Sequence, residues 1–477
     1  MDRLLPMTSK LGFGVGQLAE GVKGAVFNTF VLFYYNQILG VPATQTALVL
    51  GIATFFDAVT DPVAGYLSDR TRSRFGRRHP WLMVSAIPLG ASLVMLFCPP
   101  SGMSSTFYVV WLLAASLSLH LFITMYHIPH LALGAEMATD YTDRTRVFTY
   151  GILFTVLGGW GFYFLAMSVF FPSTPQYSHG LYNPAGYLPL SMAACALVIA
   201  GIGLCVWGTW KEIPHLHARQ LFSSVPSAYS LSEMLREMLG LFRNPSFRAL
   251  FFGSLLLTLL AGVKSTFSIY VGIHFWELSS EKLRWFALMV VAGLPVAFVL
   301  APALTCLIDK RRSLFLALFI TVILESLLIS LRLFTDWLPA NNDPKLFAMI
   351  LACFFVGGIV GPITWINILS MLADVADEQE WRTGKRQEGA IFSVRSFSLK
   401  ASGALGGVLA GVALDMISFP TKAKMGEVSG NIIFKLGLLE GPVYGGMLFL
   451  GLLLFFGYRL DRAKVEKIKT DLRARQA

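Results

Sequence analysis

The sequence predicts an all-α membrane protein of twelve transmembrane helices, arranged as two pseudo-symmetric bundles of six. Three observations lead there. Hydrophobic residues fill 55% of the 477 positions, charged residues only 14%, and mean hydropathy is +0.63, whereas a soluble chain of this length needs more surface charge. Apolar stretches of about 20 residues, the length that crosses a bilayer, recur from residue 11 to residue 460. The two halves also repeat: Asp61-Pro62 aligns with Ala301-Pro302, and Asp69-Arg70 with Asp309-Lys310, each ahead of paired arginines.

The spans are expected at 11–38, 44–68, 80–99, 105–134, 148–172 and 187–210 in the first half. In the second they are expected at 247–276, 282–308, 313–334, 345–373, 389–417 and 440–460. The domain reading is an N-terminal six-helix bundle over 1–210, a central loop over 211–246, a C-terminal bundle over 247–460 and a basic tail over 461–477. The first apolar segment lacks a cleavage-site pattern and is too long for a signal-peptide core, so it stays as a span. An even number of spans puts both termini on one side. Most Lys and Arg fall in the loops of that side, which reads as N-in and C-in across a plasma membrane, in bacteria the inner membrane. The net charge of +10 is thus a matter of topology, and no nucleic-acid partner is expected. The tail, rich in Lys and Arg, reads as an amphipathic helix on the inner leaflet. Cys98, Cys195, Cys205, Cys306 and Cys353 lie in or at the ends of apolar segments and suggest neither disulfides nor a metal site.

Chemistry concentrates in the second span, Phe55-Phe56-Asp57-Ala58-Val59-Thr60-Asp61-Pro62. Asp57 and Asp61 are one helical turn apart on one face, inside the hydrocarbon layer. Two such carboxylates must be protonated, paired with a base or bridged by a cation. Pro62 frees the carbonyl of Ala58, which either lines a site or accommodates a kink. The next loop, Gly65 to Arg78, carries Asp69 and five arginines in nine residues. Positive-side anchoring accounts for such a run, and so does a charge-assisted tie between helices.

The fourth span holds Thr124, His127 and His130 and leads through Glu136 to Asp140-Tyr141-Thr142-Asp143-Arg144-Thr145-Arg146. A third stretch runs from Met371-Leu372-Ala373-Asp374-Val375-Ala376-Asp377 through Arg386-Gln387-Glu388 to Lys400. Taken in order with D-x-x-x-D-P, these motifs resemble the glycoside-pentoside-hexuronide:cation symporter family of the major facilitator superfamily, to which the melibiose/sodium symporter belongs. The relationship extends to sodium-dependent lysophosphatidylcholine symporters. The resemblance covers the whole chain and implies a carrier in which two six-helix halves alternate access to a central site.

It implies a cation site at Asp57, Asp61 and Thr124, which are metal ligands if sodium is the coupling ion, with Lys400 facing them. Thr60 stands where the melibiose symporter has asparagine, and the coupling ion is read as sodium or proton. No other cofactor is expected. A cytoplasmic gate is implied at Asp69, Arg70, Arg77, Arg78, Arg144 and Arg146. Gly21, His127 and Phe154 replace the charged sugar ligands of the melibiose symporter, so the solute candidates are Glu20, Lys23, His127, His130 and Phe154. The expected function is cation-coupled symport of a sugar, glycoside or related small organic solute, with an amphipathic lipid such as a lysophospholipid as the alternative. The expected partners are solute, cation and membrane lipid, around a monomeric functional unit. Enzymatic activity is not expected: no grouping of His, Cys and Asp has metal-ligand spacing and no Gly-rich phosphate cradle or Walker A sequence appears.

Overall fold

The computed structural model describes residues 5–138, 141–220, 239–384, 388–423 and 426–476. Eleven of its helices are long and apolar enough to cross a membrane: α2 (Ala43–Arg70), α3 (His79–Phe97), α4 (Ser105–Met137), α5 (Arg146–Phe170), α6 (Pro184–Leu216), α7 (Pro245–Phe275), α8 (Ser280–Ile308), α9 (Lys310–Phe334), α10 (Pro344–Thr383), α11 (Val394–Met416) and α12 (Gly430–Gly457). The remaining span, α1 (7–39), is interrupted by π-helical turns at Val26–Val31 and Tyr34–Leu39. Each inserted residue changes which side chains face the bundle interior.

Three boundaries differ from the sequence expectation. The twelfth span begins at Gly430, not 440, because Lys435 and two glycines mask a stretch that packs as helix. The tenth continues to Thr383, past 373. Its last turns are too charged for a hydropathy signal, but Glu378 pairs with Arg382 one turn on at 2.7 Å, and Gly384 at φ 70° closes the helix. The tail helix α13 (Arg462–Gln476) lies against α10, correcting the reading of it as a lipid-facing anchor. Lys464 lies 3.7 Å from Glu378, Lys469 lies 3.9 Å from both Asp374 and Asp377, and Trp381 donates to Asp471 at 3.1 Å. Ile468 is buried beneath it. Part of the central loop, residues 221–238, lies outside the described residues, as do Arg386 and Gln387.

The largest buried apolar cluster fills the α1–α6 bundle and crosses to Tyr270, Leu414 and Phe419, whereas a second cluster lies wholly within α7–α12 and the adjoining tail. Polar contacts show the same asymmetry. Among the described residues, apart from the Lys400 contacts treated below, hydrogen bonds between the halves lie on the face away from the termini. There the Asp415 carboxylate at the end of α11 accepts from the backbone N–H of Ala43 at 3.3 Å and of Thr44 at 2.8 Å, the first residues of α2. The orphan N–H groups of one half's helix are thus satisfied by a carboxylate of the other, where the helix dipole also favours it. Tyr270 donates to Asn36 at 3.0 Å, and Gln37 bonds to the backbone of Pro420 and Ala423. At Gly411 a Cβ would sit 2.3 Å from that of Ala47, so only glycine lets α11 close on α2 here.

A second latch joins the loop after α5 to the start of α8. Ser173 donates twice to Glu281, through its N–H at 2.7 Å and its hydroxyl at 3.0 Å. Buried His179 meets Ser280 at 3.2 Å through Nδ1, which also accepts from the N–H of Leu181 at 3.3 Å. Burial pushes the His179 imidazole down from 6.5 to about 4. The closed latch therefore binds fewer protons than an open one. Its contribution is complete above the ordinary value and is lost as pH falls through 6.5 toward about 4. Labelling of a cysteine placed beneath the latch should accelerate over that range in wild type and become pH-independent in His179→Gln. An identical pH response in the variant would show that another group controls the latch.

Candidate functional site

Between the halves, midway along the helices, lies a cavity of about 410 Å³. Asp57 and Asp61 project into it from α2, His120, Thr124 and His127 from α4, and Lys400 from α11. The i, i+4 spacing brings the carboxylates together as expected. Thr124 Oγ1 lies 2.5 Å from Asp57 Oδ1 and 3.1 Å from Asp61 Oδ1, so its one proton is offered to Asp57 with Asp61 within reach. Lys400 Nζ donates to the other oxygen of each acid, at 3.0 Å to Asp57, with Asp61 the closer partner. Thr60 turns its hydroxyl back to the carbonyls of Phe56 and Asp57, 3.5 Å from Thr124. One ammonium and two carboxylates leave this cluster with one net negative charge, in surroundings where net charge is costly.

His120 is the site residue that the sequence reading missed. It is 1% exposed, its Nδ1 lies 3.7 Å from Asp57, Phe27 meets its ring edge-on, and among the described residues neither nitrogen has a hydrogen-bond partner. Its spacing could have found it: His120, Thr124 and His127 fall at i, i+4 and i+7, one face of a helix. The hydroxyls lent by α7, Thr258, Ser265 and Thr266, were also missed, because nothing in sequence links them to Asp57.

Of the solute candidates, Glu20, Lys23 and His127 line the cavity, with Glu20 and Lys23 3.7 Å apart. His130 does not, and its assignment is corrected. It is fully buried away from the cavity, stacked on Phe13 at 4.2 Å and bonded through Nε2 to the Phe13 carbonyl at 3.0 Å. The i, i+3 step from His127 rotates it toward α1, whose carbonyl satisfies it. Phe154 is likewise corrected: it packs against Gly14 of α1 and is not among the residues lining the cavity. Gly21 faces α5, where a Cβ would meet the Thr155 carbonyl at 2.2 Å, so a side chain there is excluded by helix packing.

The charged loop forms a compact network within the first half. Arg78 pairs with Asp69, with Glu136 at 2.7 Å and with the Ser68 hydroxyl, while Arg77 meets Glu136 at 2.8 Å. Arg70 lies over the Tyr66 ring at 4.1 Å. Arg146 is exposed, and the side chain of Arg144 lies outside the described residues. These contacts tie α2, the following loop and α4 within one half, while the opposite face holds the latches. The second half repeats the device, with Lys310 2.7 Å from Asp374 at the end of α10. Nearby, Lys10 and the N–H of Leu5 hold the Asp143 carboxyl below the usual range and fix the start of α1.

A twelve-span bundle with a polar cavity between its halves defines a membrane carrier of the major facilitator type. The chain belongs to the MFS/sugar transport protein family, whose model matches residues 12–462. It is 28% identical to the putative glycoside/cation symporter YagG of Escherichia coli (strain K12), over 98% of this chain and 95% of that one. The isoprimeverose transporter of Lactiplantibacillus pentosus is 23% identical over 99% and 93% of the two chains. Among solved structures, a D-xylose-proton symporter superposes with a TM-score of 0.62 at 14% identity, covering 95% of this chain and 98% of that one, a likeness of fold.

Proposed function

We propose that this protein is a cation-coupled symporter of a sugar or glycoside, with its termini in the cytoplasm and Asp57, Asp61 and Thr124 holding the coupling ion. One observation carries the reading: Lys400, from the second half, pairs with both acids of the first. An ion entering between the carboxylates displaces the ammonium, and so alters the attraction between the very halves that must rock for transport. Both candidate ions suit the donors, since two carboxylates and a hydroxyl supply oxygens for sodium and the acids themselves accept a proton. Among the described residues no group of three His, Cys, Asp or Glu is arranged for another metal.

The solute reading rests on the cavity lining. Asn28, Thr54, His127, Thr258, Ser265 and Thr266 offer neutral donors and acceptors around the space, which suits a molecule rich in hydroxyls. The names of the glycoside and isoprimeverose carriers support the same class. With the termini in the cytoplasm, the latched face is the outer one and the structure is inward-facing.

The test is uptake by proteoliposomes of labelled isoprimeverose, a methyl pentoside, a methyl hexoside and a hexuronide, under an imposed proton or sodium gradient. At least one should accumulate above its equilibrium level and leak back when an ionophore collapses the gradient. Accumulation of none, or accumulation indifferent to both gradients, would overturn the reading.

A further inference from the structure

The second half contains another buried arrangement of one ammonium and two carboxylates, remote from the cation site and contributed by three helices. Lys264 of α7 lies 2.5 Å from Glu325 of α9 and 2.8 Å from Glu440 of α12. The other ionisable groups facing it are Tyr444 of α12, whose ring lies 5.8 Å from the Lys264 ammonium, and Cys353 of α10. None of these adds a positive charge. With both acids ionised the group is one charge negative inside the membrane, where an unbalanced charge is expensive. A proton removes that charge without rearranging a helix.

The structure also distinguishes the two acids. The Glu440 side chain is 1% exposed and Glu325 30%, so the ionised form costs more at Glu440. Among the described residues neither Glu440 oxygen makes a hydrogen bond of good geometry, and only Oε1 is in ion-pair range of Lys264. Backbone shape points to the same residue. Glu440 sits in the π-helical turn Leu439–Val443, which also contains Pro442, and single π turns in α-helices concentrate at functional positions. A Cβ at Gly441 would lie 2.7 Å from Ile329, and one at Gly445 would lie 2.5 Å from Ser326. Helices α9 and α12 are therefore pressed together around this carboxylate.

We propose that Lys264, Glu325 and Glu440 form a proton-binding site inside the second half, with the exchangeable proton on Glu440. The proton comes from the aqueous phase and adds to the carboxylate, leaving Lys264 paired with Glu325. The proton binds here whichever ion is carried at Asp57 and Asp61.

The test needs no solute. Infrared difference spectra of the purified full-length carrier, recorded between acid and alkaline pH, read the carbonyl stretch of protonated carboxylic acids. Wild type should show such a band that disappears on raising the pH. Glu440→Gln, an isosteric mimic of the protonated state, should remove it and keep the wild-type melting temperature. Glu325→Gln, which leaves Lys264 and Glu440 in balance, should move the band to lower pH, and Asp57→Asn should leave this band unaltered. A band unchanged in Glu440→Gln, or one that Asp57→Asn removes, would overturn the assignment, as would a spectrum with no titrating carboxyl.

Discussion

Asp57→Asn and Asp61→Asn are each expected to reduce gradient-driven accumulation to passive equilibration, while solute counterflow, which needs no net ion movement, survives. The reason is a charge count. Two carboxylates and Lys400 carry one net negative charge, which at the proposed site favours entry of a cation. With either acid neutralised, Lys400 and the remaining carboxylate already balance, and the ion loses both a charged ligand and its electrostatic reason to enter. Losing one charge-assisted contact costs the ion about 1.5–3 kcal/mol, which corresponds to roughly ten- to a hundredfold in affinity. Lys400 stays paired in each variant, so both should insert and fold. The measurement is the ratio of accumulation to counterflow in the same vesicles. Full accumulation by either variant would remove Asp57 and Asp61 from the coupling site.

Asp415→Ala should unlatch the face away from the termini. Its carboxylate accepts from two N–H groups at the start of α2 across the boundary that must part during transport. Losing a side-chain cap costs about 1–2 kcal/mol, so the closed arrangement should lose roughly a factor of ten against the open one. Labelling of Thr54→Cys, a cavity position, by an impermeant maleimide added from the side away from the termini should rise by about that factor. Asp415→Asn, which keeps one acceptor oxygen, should fall between. Equal rates in all three proteins would show that the Gln37 and Glu281 contacts hold the face closed without Asp415.

These outcomes separate what local sequence encodes from what assembly adds. The membrane-spanning character, the repeat between halves and the pairing of Asp57 with Asp61 were legible because each is a property of one stretch of chain. Apolar length sets a span, and a four-residue step sets a face. Lys400 was reached by resemblance, since nothing near it in sequence reveals two acids more than three hundred residues away.

What the tertiary structure decided is how each helix is rotated and what stands opposite it. His127 and His130 share a short stretch of α4, yet one faces the cavity and the other is bonded to the Phe13 carbonyl. His120, absent from any recognised motif, lies beside Asp57 because α2 and α4 cross there. The arginine loop finds its partner only in the folded chain, where Arg77 and Arg78 meet Glu136 of α4. The latches exist only as distances between segments remote in sequence. Composition and periodicity thus determined that this chain is a two-fold repeated membrane carrier with a charged centre. Helix rotation, set by close packing at positions such as Gly21 and Gly411, decided which polar groups meet there, because side-chain contacts depend on neighbours that no single stretch of sequence specifies.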